Sequence, residues 1–369
     1  MPRTDQARAA LFQAVPNFSE GQDLDVISAL AGSRHVLDVH SDRDHNRSVI
    51  TLASASRDAL IDELTAQVAT AIERIDLASH VGVHPRVGAT DVVPIIPLGE
   101  ATMPEAVSVA RQLGERLWRE LRVPVFFYGH AGEGRRLADI RRRAVAPDLG
   151  GPRLHPKAGA VCVGARTPLV AYNIAFAEIP LDVVRRLVRH MRELPGVQAL
   201  AFPLAEGRLQ LSMNLTRPEE AGPALVYEAT RRLARCEGTP ELVGLCPALV
   251  AGPGCDGGLL EARLASIAAA WAAERARGRG GDEHRRLADR LAAEARSLRE
   301  LDASQEAILG GAERAAALVR VQQPAGIAET ETDAFLRTAV VGFRQAVRRV
   351  TGPTARERID LLDGWLARG

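Results

Sequence analysis

Apolar and polar positions in the first hundred residues follow a repeating strand and helix order. Short apolar runs predict strands, and apolar residues four apart within residues 57–74 (Leu60, Leu64, Val68) predict an amphipathic helix. The predicted elements are a strand at 11–15, a helix at 23–31, strands at 36–40 and 47–54, the helix at 57–74, and a strand at 92–98. Their order is β-α-β-β-α-β.

The same order recurs downstream. The predicted elements are a strand at 169–176, a helix at 181–192, strands at 197–204 and 208–215, a helix at 219–234, and a strand at 242–245. The two middle strands form a predicted hairpin around Glu206-Gly207. Two such units predict an α+β fold with two tandem ferredoxin-like subdomains, each with its helices on one face of its sheet.

Further elements lie between and after the two units. Thr102 and Glu105 form a capping-box pattern that begins a predicted helix ending at Leu121, and a strand is predicted at 125–128. Beyond about residue 260 the pattern is helical, with breaks at 278–281, 323–326 and 351–353. The predicted domains are therefore 1–167, 168–258 and a helical tail at 259–369. Two apolar stripes in the tail are Leu287, Leu291, Ala295 and Leu298, and Phe335, Ala339, Phe343, Val347 and Val350.

Composition excludes several classes of protein. The 369 residues carry a net charge of +1, so bulk charge gives no reason to expect a nucleic-acid partner. No apolar run reaches membrane-spanning length and the first residues lack a signal core, so we expect a cytoplasmic protein that does not enter a membrane. The four cysteines lack Cys-x-x-Cys spacing, which argues against a zinc site or a disulfide framework.

His84 is the strongest candidate for chemistry. It follows Gly82 and precedes Pro85 and Gly88, which oppose a helix and place it on a rigid loop. A histidine can accept and donate a proton near neutral pH, although a turn histidine that only caps backbone remains an alternative. His80 and His84 are four residues apart, but the helix breakers and the absence of a glutamate after His80 argue against a metal pair.

Other polar and glycine-rich segments have two interpretations each. Asn17 ends a strand and could position a ligand or cap a helix. Asn46 and Arg47 open a strand, where the arginine could bind a carboxylate or lie in a surface ion pair. The segment 150–159 could bring backbone close to a flat ligand or simply link two subdomains.

Together these segments resemble glutamate formimidoyltransferase, the transferase half of formimidoyltransferase-cyclodeaminase, over about residues 11–250. Five motifs carry the resemblance in the same order. They are Val15-Pro-Asn17-Phe-Ser19-Glu20-Gly21, Asp38 followed by Asn46-Arg47-Ser-Val, His84-Pro85-Arg86-Val-Gly88-Ala-Thr-Asp91, Val123-Pro-Val-Phe-Phe-Tyr-Gly129, and Leu154-His-Pro-Lys-Ala-Gly159-Ala-Val-Cys-Val-Gly164-Ala-Arg166.

The resemblance implies a substrate channel between the two subdomains, tetrahydrofolate as co-substrate, glutamate as the second substrate, and a role at the end of histidine degradation. It assigns the catalytic histidine to His84. It assigns folate contacts to Gly150, Gly151, Pro152, Arg153, Leu154, His155, Pro156, Lys157, Ala158 and Gly159. His40 stands where animal members of the family carry an acidic residue, so we give it no carboxylate role.

The implied reaction needs a proton acceptor and donor, which a histidine with a near-neutral pKa can supply. The substrates carry several carboxylates, so we expect Arg47, Arg86 and Arg166 to bind them, with Arg153 and Lys157 next. Asn17, Asn46 and Asn214 are the expected hydrogen-bonding residues. Formyl transfer on the same fold and a non-catalytic folate-binding protein are the alternative functions.

The tail lacks the Pro-Gly-Gly-Gly-Ser stretch of the cyclodeaminase half. We therefore interpret it as a structural or dimerising helical appendage on a transferase with one activity. Its apolar stripes are compatible with a homodimer.

Overall fold

Residues 10–142, 145–322 and 324–349 are described by a computed structural model of the chain. Within these ranges two compact units form, one from residues 10–168 with 203–206 and the other from 169–202 with the residues from 207 onwards. Both units combine helices with a sheet, which confirms the predicted α+β class. None of the helices in the described ranges is long and apolar enough to cross a membrane.

The first unit contains a seven-stranded sheet within the described residues. Its strands are β1 (Ala10–Ala14), β2 (Asn17–Phe18), β3 (Val36–Asp42), β4 (Arg47–Ser54), β5 (Thr90–Gly99), β6 (Val125–Gly129) and β7 (Val161–Ala165). They lie in the order β1-β4-β2-β5-β7-β6, with β3 paired to β4 and β1 also paired to β5. The predicted β-α-β-β-α-β order is present and is extended by β6 and β7.

Strands β1 and β2 lie between β4 and β5 as one interrupted strand. The interruption falls at Val15 and Pro16, where proline has no N–H to donate. The Pro16 carbonyl still accepts from Ile50 N at 3.0 Å, so the chain stays in the sheet. Asn17 therefore begins the second segment of a central strand.

The helices of the first unit are α1 (Leu24–Leu30), α2 (Arg57–Arg74), α3 (Met103–Arg116) and α4 (Leu137–Arg141). Thr102 and Glu105 form the predicted capping box at the start of α3. The predicted helix to Leu121 ends differently, because Leu117–Leu121 forms a π-helical turn that Arg122 closes with a φ of 52°. The apolar faces of α2 and α3 pack on the sheet in one buried core.

Strand β7 was not among the strands that the hydrophobic pattern predicted. All five of its residues are buried, so they show no alternation of polar and apolar positions. It pairs in parallel with both β5 and β6. Gly164 allows the Tyr128 ring to pack directly on this strand, since a Cβ there would lie 2.4 Å from the ring.

The second unit contains a four-stranded sheet within the described residues. Its elements are β8 (Val170–Phe176), α5 (Leu181–Met191), β9 (Val197–Pro203), β10 (Leu209–Leu215), α6 (Pro223–Ala234) and β11 (Thr239–Val243). The strand order is β11-β8-β10-β9, again from a β-α-β-β-α-β connection. Two predicted boundaries are wrong, because α6 begins at Pro223 rather than 219 and the last strand begins at Thr239 rather than 242.

Helices α7 (Leu260–Arg279), α8 (Asp282–Arg299), α9 (Gln305–Gln322) and α10 (Thr330–Val347) form the predicted helical tail. The break at Gly280 and Gly281 is confirmed, while the break between α8 and α9 was not predicted. The stripe residues of α8 and α10 are buried within this chain. Val350, the last residue of the predicted second stripe, lies outside the described residues.

Glu261 links the start of α7 to the preceding loop and to α10. Its side chain is buried, its Oε2 accepts from Ala248 N at 2.8 Å, and a Cβ on Gly342 would lie 2.4 Å from its Oε1. Burial raises the pKa of this carboxyl to about 7, against a smaller opposing effect of the Ala248 hydrogen bond. The folded protein therefore keeps Glu261 protonated at pH values where the unfolded chain does not.

We expect Glu261→Gln to stabilise the protein at pH 8. In the wild type the stabilising protonation is fully present below the unfolded-state pKa and is lost as the pH rises through about 7. The gain at pH 8 should be on the order of 1 to 3 kcal/mol and should vanish near pH 4. Thermal unfolding at the two pH values measures it. Glu274→Gln, at an exposed position on the same helix, is the control, and an equal effect of both variants would contradict the assignment.

Candidate active site

His84 lies on the loop between α2 and β5, as the sequence predicts. Its side chain is partly buried and its Nδ1 lies 2.7 Å from the Pro85 carbonyl oxygen. Because a carbonyl only accepts hydrogen bonds, Nδ1 carries the proton in this arrangement. Nε2 is then the unprotonated nitrogen of the neutral ring, the one that can accept a proton.

Arg86 stabilises this loop by donating hydrogen bonds to backbone carbonyls. Its Nη2 donates to the His84 carbonyl at 2.9 Å and to the His45 carbonyl at 3.3 Å, and its Nε donates to the His84 carbonyl at 3.2 Å. Its Nη1 lies 2.6 Å from Nε2 of His80. The guanidinium therefore fixes the backbone that carries His84.

Asn46 joins three segments of the site. It adopts a left-handed φ of 45°, its Oδ1 accepts from Gly21 N at 2.9 Å, and its Nδ2 donates to the Val81 carbonyl at 2.9 Å. A cleft of about 640 Å³ opens beside these segments, with Asn46, His80 and Gly82 among its lining residues. The amide positions the loop on which His84 lies.

Arg47 and Arg141 share one buried carboxylate. Asp91 Oδ2 accepts from Arg47 Nη1 at 2.8 Å and from Arg141 Nη2 at 2.7 Å, and its Oδ1 accepts from Val87 N at 2.7 Å. The Asp91 side chain is 0% exposed, so the suggestion of a surface ion pair for Arg47 is wrong. Burial alone would raise the pKa of Asp91, but the two guanidinium groups outweigh it and hold that pKa below its usual value.

Asn17 completes the environment of Arg47. Its Oδ1 accepts from Nη2 of Arg47 at 2.9 Å and from Nε at 3.2 Å, while its Nδ2 donates to the Val15 carbonyl at 2.7 Å. Asn17 and Asp91 together fix the orientation of the Arg47 guanidinium.

The electrostatics of His84 differ from the sequence-based expectation. Burial, followed by the positive charges of Arg47 and Arg141, lowers the pKa of His84 to about 2. The expected near-neutral pKa is therefore wrong, because these surroundings favour the neutral imidazole of His84.

The predicted folate segment lies against the His84 loop at its C-terminal half. Ala89 N donates to the Ala158 carbonyl at 2.9 Å, and Ala160 N donates to the Val87 carbonyl at 3.2 Å. His155 closes the turn, because its Nδ1 accepts from Ala158 N at 2.9 Å. The N-terminal half is open, and Gly151, Pro152 and Arg153 are exposed.

Gly88 and Gly159 allow this close approach of two backbones. A Cβ on Gly88 would lie 1.9 Å from the Ala160 carbonyl oxygen, and one on Gly159 would lie 2.2 Å from the Val87 carbonyl oxygen. Ser19 adds a third segment, since its Oγ donates to the Gly88 carbonyl at 2.8 Å. Three of the motifs therefore meet at one point in the first unit.

The remaining predicted residues lie elsewhere. Lys157 reaches the Glu73 carbonyl, and Arg166 follows β7 and donates to the Thr167 carbonyl at 3.0 Å. Asn214 is exposed on β10, in the second unit.

The sequence reasoning gave no role to Asp91, Arg141 or His45. Asp91 ends the His84 motif and could have been recognised as a buried acid entering a strand. Arg141 lies in a segment rich in charged residues, a composition that is typical of exposed surface. Only the tertiary fold brings it to Asp91. The rings of His45 and His84 have centroids 5.8 Å apart. In the described part of the chain, histidine, cysteine and acidic side chains form no cluster suited to a metal ion.

Comparison with known proteins places the motifs in a family. Residues 11–166 match the formiminotransferase domain, N-terminal subdomain. A glutamate formimidoyltransferase of Streptococcus pyogenes is 35% identical over 271 residues, covering 65% of this chain and 90% of that protein. One from Thermoplasma acidophilum is 35% identical over 270 residues, covering 64% and 88%. The formimidoyltransferase-cyclodeaminase of Sus scrofa is 37% identical over 275 residues, covering 64% of this chain and 50% of that protein.

We expect Gly88→Ala to destabilise the first unit by about 1 to 3 kcal/mol, because the new Cβ must push the Ala160 carbonyl away. Thermal unfolding of the purified protein measures the loss. Gly278→Ala is the control, since a Cβ at that helical position meets nothing within 4 Å and should be neutral or slightly stabilising. Equal unfolding midpoints for wild type and Gly88→Ala would show that the two backbones need not approach so closely.

Proposed function

The chain belongs to the glutamate formimidoyltransferase family, and from that premise we propose that it transfers a formimidoyl group between 5-formimidoyl-tetrahydrofolate and L-glutamate. The observation that carries the proposal is a braced histidine beside a buried arginine–aspartate–arginine cluster. Tetrahydrofolate is the co-substrate that gives or receives the group. The reaction would serve the last step of histidine degradation.

His84 moves the protons in this mechanism. When glutamate is the acceptor, its amine attacks the formimidoyl carbon, the π pair of the C=N bond moves to the imine nitrogen, and the amine gives a proton to Nε2 of His84, which forms a tetrahedral adduct. The pair on the imine nitrogen then re-forms the C=N bond as the bond from the carbon to N5 of the folate breaks, and His84 returns the proton to N5. The electron pair of the broken bond stays on N5, so the reaction needs no oxidant and no covalent enzyme intermediate.

The low pKa of His84 makes its basicity depend on substrate. A neutral imidazole whose pKa lies at about 2 accepts a proton poorly. Glutamate and folate both bring carboxylates, which offset the charges of Arg47 and Arg141 and raise that pKa. His84 would then become an effective base only when the site is filled.

The other residues position the His84 loop or would bind the substrates. Arg86 and Asn46 position the backbone around His84, and Arg47, which is held by Asn17 and Asp91, would act on the substrates through its positive charge. The segment from Gly150 to Gly159 would lie along the folate, with its exposed N-terminal half in contact with the ring or tail. Arg166 would add hydrogen bonds to the substrates.

A product assay tests the activity itself. We expect purified protein with 5-formimidoyl-tetrahydrofolate and glutamate to form N-formimidoyl-glutamate, detected by mass spectrometry, and tetrahydrofolate, detected by absorbance. The same assay with 5-formyl-tetrahydrofolate is the comparison, because a formyl group offers a similar carbon without the imine nitrogen. A faster reaction with the formyl donor would favour formyl transfer. Folate binding without any product would indicate a binding protein.

We expect His84→Ala to lower kcat by at least about a hundredfold, because a general acid and base typically contributes 10² to 10⁴ in rate. The Kd for the folate donor should change less than threefold, as measured by calorimetry on the full-length protein. His190→Ala, at an exposed position on α5, is the control histidine. A variant that keeps more than about a tenth of the wild-type kcat would remove His84 from the proton transfers.

A further inference from the structure

The Arg47–Asp91–Arg141 cluster carries one positive charge in excess. Asp91 is one carboxylate between two guanidinium groups, and the side chains of Arg47 and Arg141 are only 12% and 22% exposed. The positive charge of Arg141 also lowers the pKa of Arg47, in addition to a larger effect of burial. A partly buried excess charge is costly unless an anion compensates for it.

Arg141 has hydrogen-bonding capacity that the described protein does not use. Of its nitrogens, Nη2 donates to Asp91 at 2.7 Å. Its Nε is buried and has no hydrogen-bond partner in the described part of the chain. A guanidinium presents Nε–H and one Nη–H side by side, which is the geometry that binds a carboxylate through both oxygens.

The position of Arg141 indicates which carboxylate of the two substrates it binds. Arg141 and the His84 loop meet at Asp91, because Arg141 Nη2 donates to its Oδ2 and Val87 N, three residues after His84, donates to its Oδ1, each at 2.7 Å. In the proposed reaction His84 handles the proton of the attacking amine. The α-carboxylate of glutamate is bonded to the carbon that bears this amine, whereas the γ-carboxylate and the folate tail lie farther from the reacting nitrogen.

We propose that Arg141 binds the α-carboxylate of the glutamate substrate, and that Asp91 is the positioning residue that aligns Arg141 with Arg47. The inference rests on the proposed transferase function and names the part of the site that selects an α-amino acid. Binding of the carboxylate satisfies the buried Nε of Arg141 and balances the charge of the cluster.

The same contact couples amino-acid binding to the basicity of His84. The charged and titratable groups that act on His84 are Arg47, Arg141, Asp91 and His45. A carboxylate bound to Arg141 offsets one of the two guanidinium charges that hold the pKa of His84 low. The base is thereby activated by the acceptor from which it must take a proton.

The experiment compares glutamate with isoglutamine, its α-amide, and with glutamine, its γ-amide, in wild type and Arg141→Gln. In the wild type we expect the α-amide to lower kcat/KM at least tenfold. In Arg141→Gln the KM for glutamate should rise at least tenfold. In this variant, kcat/KM for the α-amide should be less than threefold below kcat/KM for glutamate. The KM for the folate donor should change less than twofold.

Arg142→Gln is the matched control, because Arg142 is the next residue, is exposed, and pairs with Asp139. It should retain wild-type kinetics with all three amino acids. Arg141→Lys keeps a positive charge beside Asp91, and it replaces Arg141→Gln in the experiment if Arg141→Gln does not fold. Its KM for glutamate should rise at least threefold, since lysine cannot make the two-pronged contact.

Two results would overturn the assignment. One is an unchanged α-amide penalty in Arg141→Gln, and the other is a loss of sensitivity to the γ-amide or to the folate donor in place of the α-amide. A nuclear magnetic resonance titration of His84 adds a measurement that does not use the reaction, because its pKa should rise in Arg141→Gln. Calorimetry with glutamate likewise reports binding even if the wild type transfers no formimidoyl group, so the failure of the proposed function stays distinguishable.

Discussion

The burial of Asp91 is the constraint on which the rest of the site depends. A fully buried carboxylate is tolerated only with cationic and hydrogen-bonding partners, and removing one partner of such a pair typically costs about 3 to 5 kcal/mol. Asp91 obtains its partners from three separate segments, through Arg47, Arg141 and the Val87 backbone. The requirement to compensate one charge therefore fixes β4, α4 and the His84 loop relative to each other within the first unit.

The histidine is placed by backbone contacts and tuned by charge. Arg86 and Asn46 hydrogen-bond to the carbonyls around it, while Gly88 lets the loop rest on the backbone at Ala160. The two arginines that Asp91 attracts also depress the basicity of His84. In the proposed reaction, the carboxylates of the substrates would offset part of this positive charge.

Much of the fold was predictable because its elements obey local rules. Helix α2 has apolar residues at helical spacing and its predicted bounds of 57–74 are those observed, and the Thr102–Glu105 capping box is present as predicted. Strand β7 was missed because both of its faces are buried, so periodicity carries no information there. The end of α3 was mispredicted because a π-helical turn follows it directly. The apolar residues of that turn have nearly the same spacing as those of an α-helix, so the pattern does not show where α3 ends.

The sequence by itself determined the α+β class, the two β-α-β-β-α-β units, the helical tail and the loop position of His84, because these follow from periodicity, glycine, proline and motif order. Only the tertiary structure decided that Arg47 is paired with buried Asp91, that Arg141 joins them, and that the pKa of His84 lies far below neutral. Arg47 and Arg141 lie 44 and 50 residues from Asp91 in sequence. Electrostatic energies depend on distance and burial in space, which local sequence pattern does not encode.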